Sequence, residues 1–172
     1  VHCHSYRADE ILMLMRVFED FGIERLTFQH ANEAFKVAPE LAAFGAGASV
    51  FSDWANYKFE VYYSSAYNAT VLTRNDVRTS INSDDAGLLR YLTHEAAKTQ
   101  RYGGLSDDEA LALVTLNPAW QLGIDDRVLQ LAFAMIQSSI ASYRLELRCY
   151  VRFCEMLGDG ANRQAVRCDL PQ

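Results

Sequence analysis

Apolar and polar positions follow two alternating rhythms through the first 127 residues. Ile11, Leu12, Leu14, Met15, Phe18 and Phe21 recur at helical spacing and predict a helix over 8–21, stopped by Gly22. Before it, the short run 1–4 (VHCH) predicts the end of a strand. Residues 25–29 (RLTFQ), 47–52 (GASVFS) and 77–82 (VRTSIN) predict three more strands. Between them fall helical stretches at 32–44, which Pro39 kinks or restarts, and at 65–74. Two further helices are predicted. One spans 86–102 and ends at Gly103-Gly104. The other spans 107–116, opened by the S-x-x-E capping box of Ser106 and Glu109 and closed with the help of Asn117-Pro118.

Four strands alternating with helices imply parallel βαβ units. In such units chemistry stands where strands end and loops begin. His2, His30, Asp53 and Asp84 each sit at or just past the C-terminal end of a predicted strand. Two imidazoles and a carboxylate are ligand types that a catalytic divalent metal takes while keeping one position open for water. Neighbouring strands lie about 4.8 Å apart, so such residues can converge on one ion. A metal there would polarise a carbonyl and acidify its bound water, and a carboxylate such as Asp84 could move the proton to a leaving nitrogen.

Plainer readings remain beside this one. A strand-end His is often a hydrogen-bonded structural residue, and an Asp after a strand is often a cap, the preferred reading of Asp85. His4 is expected on the opposite side of its strand from His2 and so not to share its ligand role. His94 is expected on a helix surface. The metal reading requires the rings of His2 and His30 to face one another close to the Asp84 carboxylate.

Composition narrows the classes. The 172 residues carry 16 Lys+Arg against 22 Asp+Glu, a net charge of −6 and a pI near 5.2. That balance argues against nucleic acid as a partner, because binding phosphates requires clustered Lys and Arg. No run approaches the roughly 18 apolar residues of a membrane span. The partner is expected to be a small-molecule substrate, with homo-oligomerisation left open. The chain opens at Val1 rather than Met, so its true start is expected upstream and compartment is not specified. Character changes near residue 128. Residues 1–127 hold 11 Lys+Arg and 18 acids, whereas 128–172 hold 5 Arg, no Lys, 4 acids and three of the four Cys. Those cysteines lack zinc-site spacing and read as free thiols.

The wording of these segments resembles the C-terminal part of the metal-dependent amidohydrolase superfamily, nearest its imidazolonepropionase-like and prolidase-like members. The resemblance is carried by VHCH at 1–4, TFQHANEAFKVAPELAAFGAGAS at 27–49 and FSDWANYKFE at 51–60. It continues through SINSDDA at 80–86, HEAAKTQRYGGLS at 94–106 and TLNPAWQLGIDDRV at 115–128. It implies a (β/α)₈ barrel, of which this chain supplies strands five to eight with their helices. The fold class expected is therefore α/β, a partial TIM barrel over 1–127, followed by a divergent, helical tail over 128–172. The resemblance implies hydrolysis of C–N bonds other than ordinary peptide bonds, in a cyclic amide or amidine or a dipeptide-like substrate. It further implies a site of one or two zinc ions, with His2, His30 and Asp84 as metal ligands and Asp84 also as the catalytic proton shuttle. Asp53, Trp54, Tyr57 and Lys58, in the loop after the seventh strand, become the substrate-facing residues.

At 172 residues the chain is short for a barrel of about 250. The first four strands, and the ligands they carry in the family, are absent, which marks the chain as part of a larger enzyme. The sequence after Val128 also departs from the family and reads as a frameshifted or unrelated ending. Two rivals follow. One is a non-haem iron oxygenase, which uses two His and a carboxylate but on an antiparallel barrel. The other is an inert truncated amidohydrolase-like protein or interaction module.

Overall fold

The computed structural model describes residues 1–126. Four short strands, β1 (His2–Ser5), β2 (Thr27–His30), β3 (Gly47–Val50) and β4 (Arg78–Ile81), form one sheet in the order β1-β2-β3-β4. Every pairing is parallel, with His4 opposite Gln29, Thr27 opposite Gly47, and Ser49 opposite Ser80. Parallel neighbours need crossover connections, and helices supply them here: α1 (Ala8–Asp20), α2 (Ala38–Phe44) and α3 (Asn68–Arg74). Beyond β4 follow α4 (Leu92–Gly103), α5 (Asp107–Ala112) and α6 (Leu116–Leu122). This is the α/β arrangement with a four-stranded parallel sheet that a partial barrel requires. The tail expected over 128–172 lies outside the described residues.

Side chains divide the sheet into two faces. Phe28, Ala48, Val50 and Ile81 pack on Ile11, Met15, Leu41 and Leu72 of the helices and are buried. His2, His4, Gln29, Ser49 and Ser80 point the other way, into an open cavity of about 510 Å³. The strands thus carry an apolar face toward the helices and a polar one toward the cavity. Burial of the apolar face, at about 25 cal/mol per Å², is what holds the layers together. Among the described residues no helix is long and apolar enough to cross a membrane.

Local chemistry explains most boundaries. Pro39 does restart the chain: residues 34–37 form a 3₁₀ turn, and α2 then begins with Pro39 in its first turn, where a missing N–H costs nothing. Ser106 Oγ accepts from the Glu109 amide while the Glu109 carboxylate accepts from the Ser106 amide, so α5 opens with the expected capping box. Backbone bonding holds the Glu109 carboxyl below its ordinary range. Asn117-Pro118, expected to end a helix, instead lies inside the first turn of α6. The same proline rule applies with its direction reversed, since the first turn tolerates Pro and the chain before it bends away.

One glycine sets a helix contact. A Cβ on Gly103, at the end of α4, would lie 1.7 Å from Thr70 Oγ1 and 2.6 Å from Thr70 Cβ on α3. Gly103→Ala is expected to cost about 1–3 kcal/mol through overpacking, measured by urea unfolding. Thr70→Ala in the same background should recover part of that loss.

Candidate active site

The strands open their C-terminal ends toward one mouth, where His30 and Asp84 meet but His2 and Asp53 do not join them. His2 is three residues too early. Its partner across the pair is Thr27, near the start of β2. Its Nε2 donates to the Gln121 carbonyl at 3.0 Å, and its Nδ1 accepts from Gln29 Nε2 at 2.8 Å. Both ring nitrogens are therefore engaged, Nε2 tying β1 to α6 and Nδ1 tying it to β2.

His4 takes the place expected of His2. Residues i and i+2 of a strand share a face, so the expectation that His4 turns away from the cavity is corrected. His4 Nδ1 and His30 Nε2 lie 2.7 Å apart, with ring centroids at 4.7 Å. Beyond them, His30 Nδ1 stands 3.9 Å from Asp84 Oδ2 and has no hydrogen-bond partner. The Asp84 carboxylate favours a proton on His30 Nδ1, which leaves Nε2 to accept from His4. The three side chains form a row, His4–His30–Asp84, contributed by β1, β2 and the loop after β4.

Backbone strain makes the row. His30 has φ 69°, Ala31 φ 32° and Asp84 φ 48°, all in the left-handed region that L-residues seldom adopt. His30 stays paired with Ser5 at the end of β2, and its ring lies against that of His4. Such conformations cost about 1–3 kcal/mol each and cluster at functional sites.

His30 is only 5% exposed. The Tyr6 ring stacks on it at 4.9 Å and 3°, and Phe51 lies at 5.7 Å on its periphery. Burial pushes the imidazole below its usual pKa. Asp84 opposes that shift, while His4 and Lys58 add to it. His30 is therefore a neutral ring at neutral pH, the form that can ligate a metal or accept a proton.

The loop after β3 divides its expected substrate-facing residues. Trp54 packs edge-on to Phe51 at 5.3 Å and lies 5.1 Å from Tyr57, so both extend the aromatic wall that begins at His30. Lys58 donates to the Tyr6 hydroxyl and sits 3.8 Å from the centre of its ring. Asp53 faces elsewhere: its carboxylate accepts from Lys98 at 2.6 Å and Tyr102 at 3.3 Å, both on α4. Lys98 also reaches the buried Glu95 at 2.8 Å, and Ser52 donates to Glu95 at 2.5 Å. Asp53 thus anchors the loop to α4. His94, expected on a surface, has a ring contact with Tyr91 at 5.7 Å.

Several participants escaped sequence reasoning. His4 was discoverable from strand alternation, and Tyr6 from its position just past β1. Gln121 carries no local signal: its amide bonds the Ala48 and Arg78 carbonyls, and it accepts from Ser80, closing the floor of the cavity.

The crystal structure of an amidohydrolase from Thermotoga maritima MSB8 superposes with a TM-score of 0.66 and 29% identity over 73% of this chain. The fold is amidohydrolase-like. The chain spans about a third of that protein, the match covering 33% of its length. No family model matches this chain. No curated protein matches it either. The likeness supports a hydrolase at the coarse level.

The implied metal can be tested against these residues. Two imidazoles and a carboxylate are suitable donors for zinc. Two nitrogens bound at about 2.0–2.1 Å to one tetrahedral ion stand roughly 3.3 Å apart, whereas His4 and His30 are in direct hydrogen-bond contact at 2.7 Å. Asp84 faces the opposite nitrogen of His30. Among the described residues no group of three or more His, Cys, Asp and Glu could hold an ion. As they stand, these side chains do not by themselves close a metal cage.

Proposed function

We propose that this chain is part of a hydrolase that cleaves C–N bonds other than ordinary peptide bonds, in a cyclic amide or amidine or a dipeptide-like substrate. The observation that carries the reading is the row His4–His30–Asp84 at the C-terminal mouth of a parallel sheet, in a fold like that of an amidohydrolase. Asp84 lies at the open end of the row, with a half-exposed carboxylate able to accept a proton from an attacking water. The same carboxyl then returns that proton to the leaving nitrogen. His30, neutral and stacked under Tyr6, holds the Asp84 side of the row in place. Trp54 and Tyr57 offer a flat wall for a substrate ring.

A divalent metal, zinc by its donor types, belongs to this reading, with His4 in the position first expected of His2. Because the described residues leave the cage open, its remaining ligands must come from outside them. Elemental analysis of the purified chain should find up to about one zinc, falling on His30→Ala and His4→Ala but not on His2→Ala. Less than a tenth of an equivalent, unchanged by His30→Ala, would favour a second reading: an inert amidohydrolase-like protein. The direct His4–His30 contact, with Asp84 on the opposite ring nitrogen, is what recommends that alternative.

A further inference from the structure

A second cavity, of about 230 Å³, is lined in part by Phe51 and Trp54 of the aromatic wall, and among the described residues none of its lining also lines the cavity that holds His4, His30 and Asp84. Its volume is below the roughly 300–1,000 Å³ of a drug-sized site, which suits a single ring. Phe51, Trp54 and Ala66 give it an apolar side, and Asn32, Ser64 and Ser65 a polar one.

The polar side has a defined hydrogen-bonding pattern. Asn32 is 2% exposed. Ser64 donates its proton to the Val61 carbonyl at 2.7 Å, so it can only accept from Asn32 Nδ2, also at 2.7 Å. That fixes the orientation of the carboxamide and leaves Asn32 Oδ1 a buried acceptor with no partner. An unmet buried acceptor costs about 1–3 kcal/mol. Ser65 Oγ accepts from the Tyr67 amide and keeps its own proton free to donate. Asn68, by contrast, is fully used: it accepts from Phe35 N and donates to the Ala31 and Asn32 carbonyls.

We infer that this cavity is a binding site for a small planar ring bearing a carboxamide. The ligand's N–H meets Asn32 Oδ1, its carbonyl accepts from Ser65, and its ring lies against Trp54 and Phe51. The site shares Trp54 with the wall assigned to the hydrolase substrate but not His4, His30 or Asp84, and its test involves neither metal nor turnover, so its failure leaves the hydrolase reading standing.

Trp54 reports the site directly. In a Trp120→Phe background, where the other tryptophan between Arg25 and Arg78 is removed, benzamide should change Trp54 emission saturably. It should bind at least tenfold more tightly than acetophenone, which has the same shape but no N–H. Asn32→Leu should erase that preference, and Ala66→Phe, which fills the cavity from its rim, should weaken benzamide at least tenfold. The inference is overturned if acetophenone binds as well as benzamide, if benzamide does not saturate, or if Ala66→Phe leaves its affinity unchanged.

Discussion

Asp84→Asn is expected to abolish hydrolysis of cyclic amides and acyl-amino acids in an assay where the chain is supplied with the first half of an amidohydrolase barrel. The asparagine keeps the size of the side chain but can neither take nor return a proton. Positioned acid–base groups contribute about 10²–10⁴-fold, so the rate should fall by at least about a hundredfold. Folding should change little, because the Asp84 carboxylate is half exposed and its close titratable neighbour among the described residues is the neutral His30 ring at 3.9 Å. Measuring rate and urea midpoint together separates the two effects. A variant with unaltered midpoint and undiminished rate would remove Asp84 from the mechanism and leave only the fold-level likeness.

Lys98→Met is expected to produce the largest loss of stability among single changes around the site. Its ammonium joins Asp53 at 2.6 Å and Glu95 at 2.8 Å, and the Glu95 side chain is only 9% exposed. Burial pulls the Lys98 pKa down, but the hydrogen bonds and negative charges of Asp53 and Glu95 together hold it above its ordinary value. Removing one partner of a buried pair strands the other charge, at a cost of about 3–5 kcal/mol. Lys98 is itself one-fifth exposed, so about 3 kcal/mol is the expected loss in urea unfolding. Lys98→Met with Glu95→Gln should recover much of it, since Ser52 can still donate to the neutral amide. Equal losses in the single and double variants would mean that the pair contributes nothing beyond packing.

Both predictions turn on contacts between segments distant in the chain, and this marks the limit of the sequence. Strand and helix order was legible because period 2 and period 3.6 are local properties. The capping box at Ser106 was legible for the same reason, as its two bonds span three residues. The polar strand ends were legible as a class, and Asp84 and His30 do meet at the mouth. Which histidine joins them was decided by register: pairing Ser5 with His30 sets His4, not His2, beside that ring. Asp53 read as a site residue from its place after β3, yet Lys98 and Tyr102, some 45 to 49 positions later, claim it.

By itself, then, the order of residues determined the alternation of elements, the parallel sheet and the side of it on which polar groups collect. Tertiary structure decided which of those groups touch, because left-handed turns at His30 and Asp84 and the packing of α4 and α6 depend on neighbours far along the chain. Local periodicity specifies a face; only the assembled sheet and its covering helices fix the distance between two side chains on it.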